Sequence, residues 1–238
     1  MKLTQHGQNL WQVTRFAFFN AYLVREADGL TLIDTNMSGS QKTILAAAET
    51  IGLPITRITL THAHGDHVGS LDEVVALLPD AEVAFTSRTA EFLQGNLELH
   101  PDEPQTKLRG GFMDRSTKAT RLLEPGDMVG SLRVHAAPGH TPDHIAFWDE
   151  RDGTLIAGDA FQTVAGTAVS GIMRWLFPFP ALATWHLPTA LTTAVTLRNL
   201  NPTRLAVGHG RVLENPAGEM EKAIQEAEAK VHAQTKMA

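Results

Sequence analysis

Cysteine is absent from the 238-residue chain, which excludes disulfides, thiolate metal ligands and cysteine-based zinc fingers. For the same reason redox chemistry says nothing about compartment. Tyrosine occurs once, at Tyr22, and aromatics make up only 6% of residues, so aromatic clusters must be local. No apolar run is long enough to span a bilayer, and Met1-Lys2-Leu3-Thr4-Gln5-His6 opens no signal-type hydrophobic region. Lys and Arg form no dense block and the formal net charge is −6, which points away from nucleic acid and from an anionic membrane. Gly-X-Ser-X-Gly does not occur, and no other nucleophile motif stands out. The expectation is a soluble, cytoplasmic protein acting on a small molecule, with neither nucleic acid nor membrane as partner.

What is present is an ordinary globular composition, 43% apolar, with no linker-like stretch. One domain over 1–238 is expected. Leu10 to Thr14, Ala21 to Val24 and Leu30 to Ile33 read as a β-meander, punctuated by Asp28-Gly29. Helical spacing runs from Ser40 to Ile51 and stops at Gly52, with Pro54 beyond. A strand at Ile55 to Leu60, a helix at Val68 to Leu78 and a strand at Ala81 to Phe85 follow. That alternation is the pattern of a layered α/β domain. Gln94 to Lys118 is long, polar and irregular, as functional loops tend to be, with Gly110-Gly111-Phe112-Met113 at its centre. Strands resume at Leu122-Leu123, Leu132 to His135, Ile145 to Trp148 and Leu155 to Ala157. Phe161 to His186 shows neither a period of 2 nor of 3.6, and carries Trp175, Phe177, Phe179 and Trp185 around two prolines. A helix at Leu187 to Leu200, a strand at Arg204 to Val207 and a polar helix at Glu214 to His232 close the chain.

The chemistry concentrates in His62-Ala63-His64-Gly65-Asp66-His67, directly after an apolar strand. Imidazole nitrogen and carboxylate oxygen are the ligands that zinc-like divalent cations favour. If the strand runs through Thr61, alternation presents His62 and His64 on one side. Asp66 and His67 then fall at a helix start and face a second point. This is a layout for two metals side by side. Three later residues share one local pattern, an apolar run and then glycine: Gly139-His140, Gly158-Asp159 and Gly208-His209. Glycine lets a loop turn sharply and approach a metal closely.

Together with Pro138-Gly139-His140-Thr141-Pro142-Asp143-His144 and the upstream Leu32-Ile33-Asp34-Thr35, these motifs resemble those of the metallo-β-lactamase-fold hydrolases from about Asn20 to Gly210. The resemblance implies an αββα sandwich of two mixed sheets flanked by helices. It implies that His62, His64 and His140 bind one metal, that Asp66, His67 and His209 bind the second, and that Asp159 bridges them. The set is similar to the di-zinc glyoxalase II and lactonase branches; zinc is expected, with manganese, iron or cobalt as substitutes. Such a pair lowers the pKa of a bridging water toward neutrality, and the resulting hydroxide attacks a carbonyl. Asp66 is expected to be catalytic as well as a ligand, orienting that hydroxide. His144 is expected to hold the site loop through a hydrogen bond, and Asp34 to act as a structural acceptor.

Phe112, Met113, Gln162, Trp175, Phe177 and His186 are candidate substrate contacts forming an apolar wall. Phe161 to Trp185 reads equally as a dimer interface or simple core. Acyl-homoserine lactonases carry a tyrosine three positions after the bridging Asp, where this chain has Gln162. The loop after Asp159 also departs from the Cys/Gly/Arg-rich loop of glyoxalase II. The resulting expectation is a promiscuous lactonase or esterase for substrates with an apolar group. Alternatives are a glyoxalase II-like thioesterase or phosphotriesterase, and a mononuclear-iron oxidoreductase similar to persulfide dioxygenases.

Overall fold

A computed structural model describes residues 2–236; Met1, Met237 and Ala238 lie outside it. A seven-stranded sheet takes its strands in chain order. They are β1 (Lys2–His6), β2 (Leu10–Arg15), β3 (Phe19–Glu26), β4 (Gly29–Ile33), β5 (Ile55–Thr59), β6 (Glu82–Thr86) and β7 (Arg121–Leu123). The first four pair antiparallel and the last four parallel, so the sheet is mixed. Every residue of β4 is buried, Thr31 included, as in a strand covered on both faces. Helices α1 (Gln41–Ile51), α2 (Gly65–Val68), α3 (Leu71–Leu77) and α4 (Ser87–Leu93) fill the connections. In α1 the buried side chains are Ile44, Ala47 and Ala48, one helical stripe, and Gly52 ends the helix in the left-handed conformation.

A six-stranded sheet has the order β15-β14-β11-β10-β9-β8. Its strands are β8 (Met128–Val129), β9 (Leu132–Ala136), β10 (Ile145–Asp149), β11 (Thr154–Ile156), β14 (Arg204–Ala206) and β15 (Leu213–Glu214). The β11–β14 pair is parallel, whereas β8–β9, β10–β11 and β14–β15 pair antiparallel, so this sheet is also mixed. A small hairpin, β12 (Phe161–Gln162) with β13 (Ala168–Val169), and helices α5 (Phe179–Ala183), α6 (Leu187–Arg198) and α7 (Ala217–Thr235) complete the chain. The architecture is the mixed α/β class expected, with two large mixed sheets and helices. No helix of the described residues is long and apolar enough to cross a membrane.

Contacts divide the chain into two compact units, Met1–Leu97 with Gly111–Val134, and Glu98–Gly110 with His135–Ala238. In the first, Phe85 and Phe92 are fully buried, as are the strand residues Leu23, Leu32, Ile33 and Ile58. Each such side chain contributes roughly 1.5–3 kcal/mol by leaving water. In the second, Phe161, Val169, Leu197, Met220 and Ile224 lie in one apolar cluster, to which α6 and α7 both contribute. The buried positions of α6 are Ala190, Thr193, Ala194 and Leu197, spaced for one face.

Four local features differ from the sequence expectation. Strand β5 stops at Thr59, so His62 and His64 lie in a loop and are not placed by strand alternation. The helix expected from Val68 to Leu78 is two short helices, α2 and α3. At Gly69 between them, a Cβ would collide with the backbone of Ser38 and Gly65. Helix α4 was not foreseen; Thr86 caps it by accepting the Thr89 N–H at 3.0 Å. Strand β1 was not foreseen either, because its mostly polar residues lie at the sheet edge, partly in water.

Candidate metal centre

In the first unit, the loop after β5 carries His62 and His64, and the single turn of α2 carries Asp66 and His67. The three imidazoles are buried and close together. His62 Nε2 lies 3.1 Å from His64 Nδ1, and the His62 and His67 rings stand 4.1 Å apart. Asp66 remains partly exposed, with Oδ2 4.0 Å from His67 Nε2.

Asp34, at the end of β4, organises this group. Its Oδ1 accepts the Thr61 N–H at 2.7 Å, and its Oδ2 accepts the Thr61 hydroxyl at 2.8 Å. His67 Nδ1 also meets that Oδ2, at 2.8 Å. A carboxylate can only accept, so His67 carries a proton on Nδ1 and turns Nε2 the other way, toward Asp66. The Thr61 hydroxyl has spent its proton on Asp34 and is therefore an acceptor for His62 Nδ1, 3.0 Å away. That leaves His62 Nε2 unprotonated, facing His64 Nδ1 at 3.1 Å.

The loop expected near the site is there. Gly65 N–H donates to Gly111 O at 2.8 Å, and His64 and Phe112 form a β-bridge. The Phe112 ring packs 4.7 Å from His64 and 4.9 Å from Phe92. Met113 occupies the space where a Gly65 side chain would project. Arg115 holds the loop down by donating to Val68 O at 2.8 Å and Gly69 O at 2.9 Å.

In the second unit, Asp159 is the meeting point. Its buried Oδ2 lies 3.4 Å from His140 Nε2 and 3.0 Å from His209 Nε2. His140 Nδ1 stands 3.1 Å from Thr184 Oγ1, whose own proton goes to Pro180 O at 2.6 Å. The logic of Asp34 and Thr61 repeats: a hydroxyl forced to accept fixes the proton on Nδ1 and turns Nε2 toward Asp159. His144 Nε2 accepts the Asp159 N–H at 2.9 Å and holds the loop, as expected. Ser170 donates to Asp159 O. Gly139, at φ +134, lets the His140 loop press on α6 where a Cβ would strike Ala190. Thr163 N–H donates to His209 O at 3.0 Å, and Phe177 packs 5.3 Å from the His209 ring.

The remaining candidates differ in setting. Gln162 is buried, and its Oε1 accepts the Val164 N–H at 2.8 Å inside the hairpin. Trp175 is 86% exposed, whereas Phe177 is buried. His186 contacts Thr189 Oγ1 through Nδ1 at 2.7 Å and borders a cavity of about 360 Å³ with Arg109, Thr184 and Trp185. Burial pushes its imidazole below the ordinary value of 6.5, toward the neutral form. The sequence reading missed Thr61, Thr184 and Ser170. Only Thr61 carried a signal, its position directly before His62.

Among the described residues, the first unit brings His62, His64, Asp66 and His67 together, and the second brings His140, Asp159 and His209 together. The donor chemistry fits a divalent cation, since buried imidazoles with one nitrogen committed elsewhere present the other as a lone pair.

Two mixed sheets with helices and a metal-binding set of histidines and aspartates define an α/β metalloprotein. The chain belongs to the metallo-beta-lactamase superfamily, whose signature matches residues 16–209 and so takes in all seven positions. It is 48% identical to the uncharacterised protein YobT of Bacillus subtilis, over 95% of this chain and 99% of that one. YflN of the same organism, named a probable metallo-hydrolase, is 30% identical over 80% of each chain. Among solved structures, TTHA1623 in a di-iron-bound form superposes with a TM-score of 0.64 at 26% identity, covering 86% of this chain and 93% of that one.

Proposed function

We propose that the protein is a metal-dependent hydrolase that opens ester or lactone bonds in substrates with an apolar group. His62, His64 and His140 would serve one divalent cation, Asp66, His67 and His209 the other, and Asp159 both. The observation that carries this reading is the commitment of the outer nitrogens: His67 to Asp34, His62 to Thr61 and His140 to Thr184. Histidines placed only for packing have no need of such fixed tautomers. The family match and the name of YflN point the same way.

When bound, a pair of divalent cations supplies positive charge that acidifies water and polarises a carbonyl. The chain's own contribution is orientation and proton handling. Asp34, Thr61 and Thr184 fix the orientation of three imidazoles through their Nδ1 atoms. His144 and Ser170 hold the Asp159 backbone, so its carboxylate stays aimed at His140 and His209. Asp66 is partly exposed, and its carboxylate would act as an acceptor that orients a water held there. Phe112 beside His64 and Phe177 beside His209 are apolar neighbours of ligands from both motif groups. They suit a substrate with a hydrophobic portion better than a compact ionic one.

Zinc is the expected metal, and the di-iron form of TTHA1623 makes iron the one to test beside it. Elemental analysis of purified protein, run with a panel of lactones, thioesters and phosphotriesters, decides between the readings. Two cations per chain and turnover of lactones or esters is the expected result. One iron per chain with oxygen uptake would instead select a dioxygenase. His67→Ala and Asp159→Ala should each lower turnover by orders of magnitude in folded protein. Unchanged turnover at full metal content would sink the ligand assignment.

A further inference from the structure

The segment from Arg174 to His186 in the second unit keeps large apolar side chains in water. Trp175 and Leu176 are 86% and 87% exposed, Phe179 is 62% exposed and Leu182 55%. A flexible loop would fold such groups back against the protein. This one is held at both ends. Arg174 donates to the two carboxylate oxygens of Glu226 at 2.7 and 2.6 Å, and to Thr167 O at 2.8 Å. At the other end, the N–H groups of Trp185 and His186 donate to His140 O and Gly139 O at 2.9 and 3.0 Å. Between these ties, Pro178 and Pro180 restrict the backbone and Phe177 anchors the middle by its contact with His209. The exposed groups are therefore presented in a fixed arrangement, which reduces the ordering cost of covering them.

We propose that this segment is the surface through which two copies of the chain associate. Two observations select a second copy as the occupant. The first is charge. No charged residue occurs from Trp175 to Trp185, and the guanidinium at the base of the segment is neutralised by Glu226. A chain of net charge −6 repels its own copies, and a stretch that brings no charge to the contact is where they can meet. The second is area. The four exposed side chains present on the order of 500 Å² per chain, which two copies double to about the 1,000 Å² a specific interface has to clear. A two-fold contact needs one self-complementary patch, and tryptophan and phenylalanine are the side chains that anchor such contacts.

The test uses the full chain and does not depend on the hydrolase reading, because its readout is mass. Light scattering and sedimentation of the wild type across the micromolar range should show a species of twice 25.9 kDa. Leu176→Asp and Trp175→Ser, both at positions already in water, should weaken association by roughly thirty-fold or more. Leu176→Met should leave association intact, and circular dichroism should show all three variants folded. A wild type that stays monomeric at the highest concentration overturns the proposal, as does an undiminished dimer in the two disruptive variants. A monomer that binds neutral lipid vesicles through Leu176 also overturns it, and so does one that loses long-chain ester turnover on Leu176→Asp. In either case the surface belongs to lipid or substrate.

Discussion

Asp34 occupies the left-handed region at φ +61, where aspartate is one of the few residues that sits without large strain. From there its two oxygens collect the Thr61 backbone, the Thr61 hydroxyl and the His67 ring. Asp34→Asn keeps the shape but puts an N–H donor into a place that needs an acceptor. Either the threonine hydroxyl or the imidazole then turns over, and at least one ring loses its tautomer lock. Metal affinity should fall by about 10–100-fold, measured by chelator competition, with the fold retained. Unaltered affinity would show that tautomer control contributes nothing. The candidate ligands stood out in the sequence because each belongs to a short local pattern, the six-residue stretch or the glycine before His140, Asp159 and His209. Thr184 was not, since its role exists only after Pro180 has taken the hydroxyl proton four residues upstream.

At the scale of elements, the segment bearing Phe112 and Met113 depends on α3 for its footing. Asp72 accepts from Thr117 Oγ1 at 2.5 Å and from the backbone N–H groups of Thr117 and Ser116 at 2.9 and 3.0 Å. Burial pushes the Asp72 carboxyl up, but the hydrogen bonds from Thr117 and Ser116 outweigh it and hold the group below its ordinary 3.8. A value depressed in the folded state stabilises the fold above the unfolded value and loses that effect as pH falls through the folded one. The wild type should therefore be more stable than Asp72→Asn at neutral pH, with the gap closing below 3.8. Urea denaturation over a pH series reads this; a gap that stays constant with pH would refute it.

Several elements were legible because they follow local rules. Helix α1 has an apolar stripe and a glycine stop, and the meander strands alternate between turn signals. The break between α2 and α3 was not legible, since Gly69 is needed for the approach of Ser38, which is remote in sequence. Helix α4 was overlooked because seven residues give too little period to read, and its Thr86 cap becomes visible only in three dimensions.

For the whole molecule, metal binding and folding are linked. A cation bound only by the native chain at about a hundred times its dissociation constant adds roughly 2.7 kcal/mol of stability. Exhaustive chelation should accordingly lower the thermal midpoint by several degrees, and stoichiometric zinc, manganese or iron should restore it. Identical midpoints with and without metal would mean that the seven side chains hold no cation in the native state. Length, charge and absent cysteine bounded the class of protein well. The aromatic segment after Asp159 stayed ambiguous in sequence because exposure, unlike periodicity, is not written in the order of residues.

The path of the chain has a practical consequence for anyone dissecting the protein. It passes from one compact unit to the other at Leu97, returns at Gly111 and leaves again after Val134, so neither unit is one continuous stretch. The Glu98–Gly110 strap belongs with the second unit, where Thr106 O receives the Trp185 indole N–H at 3.1 Å. A gene fragment stopping at Val134 would carry that strap without its dock, and one starting at His135 would bury a tryptophan with its donor unanswered. Splitting this protein requires rerouting the strap, not merely choosing where to cut.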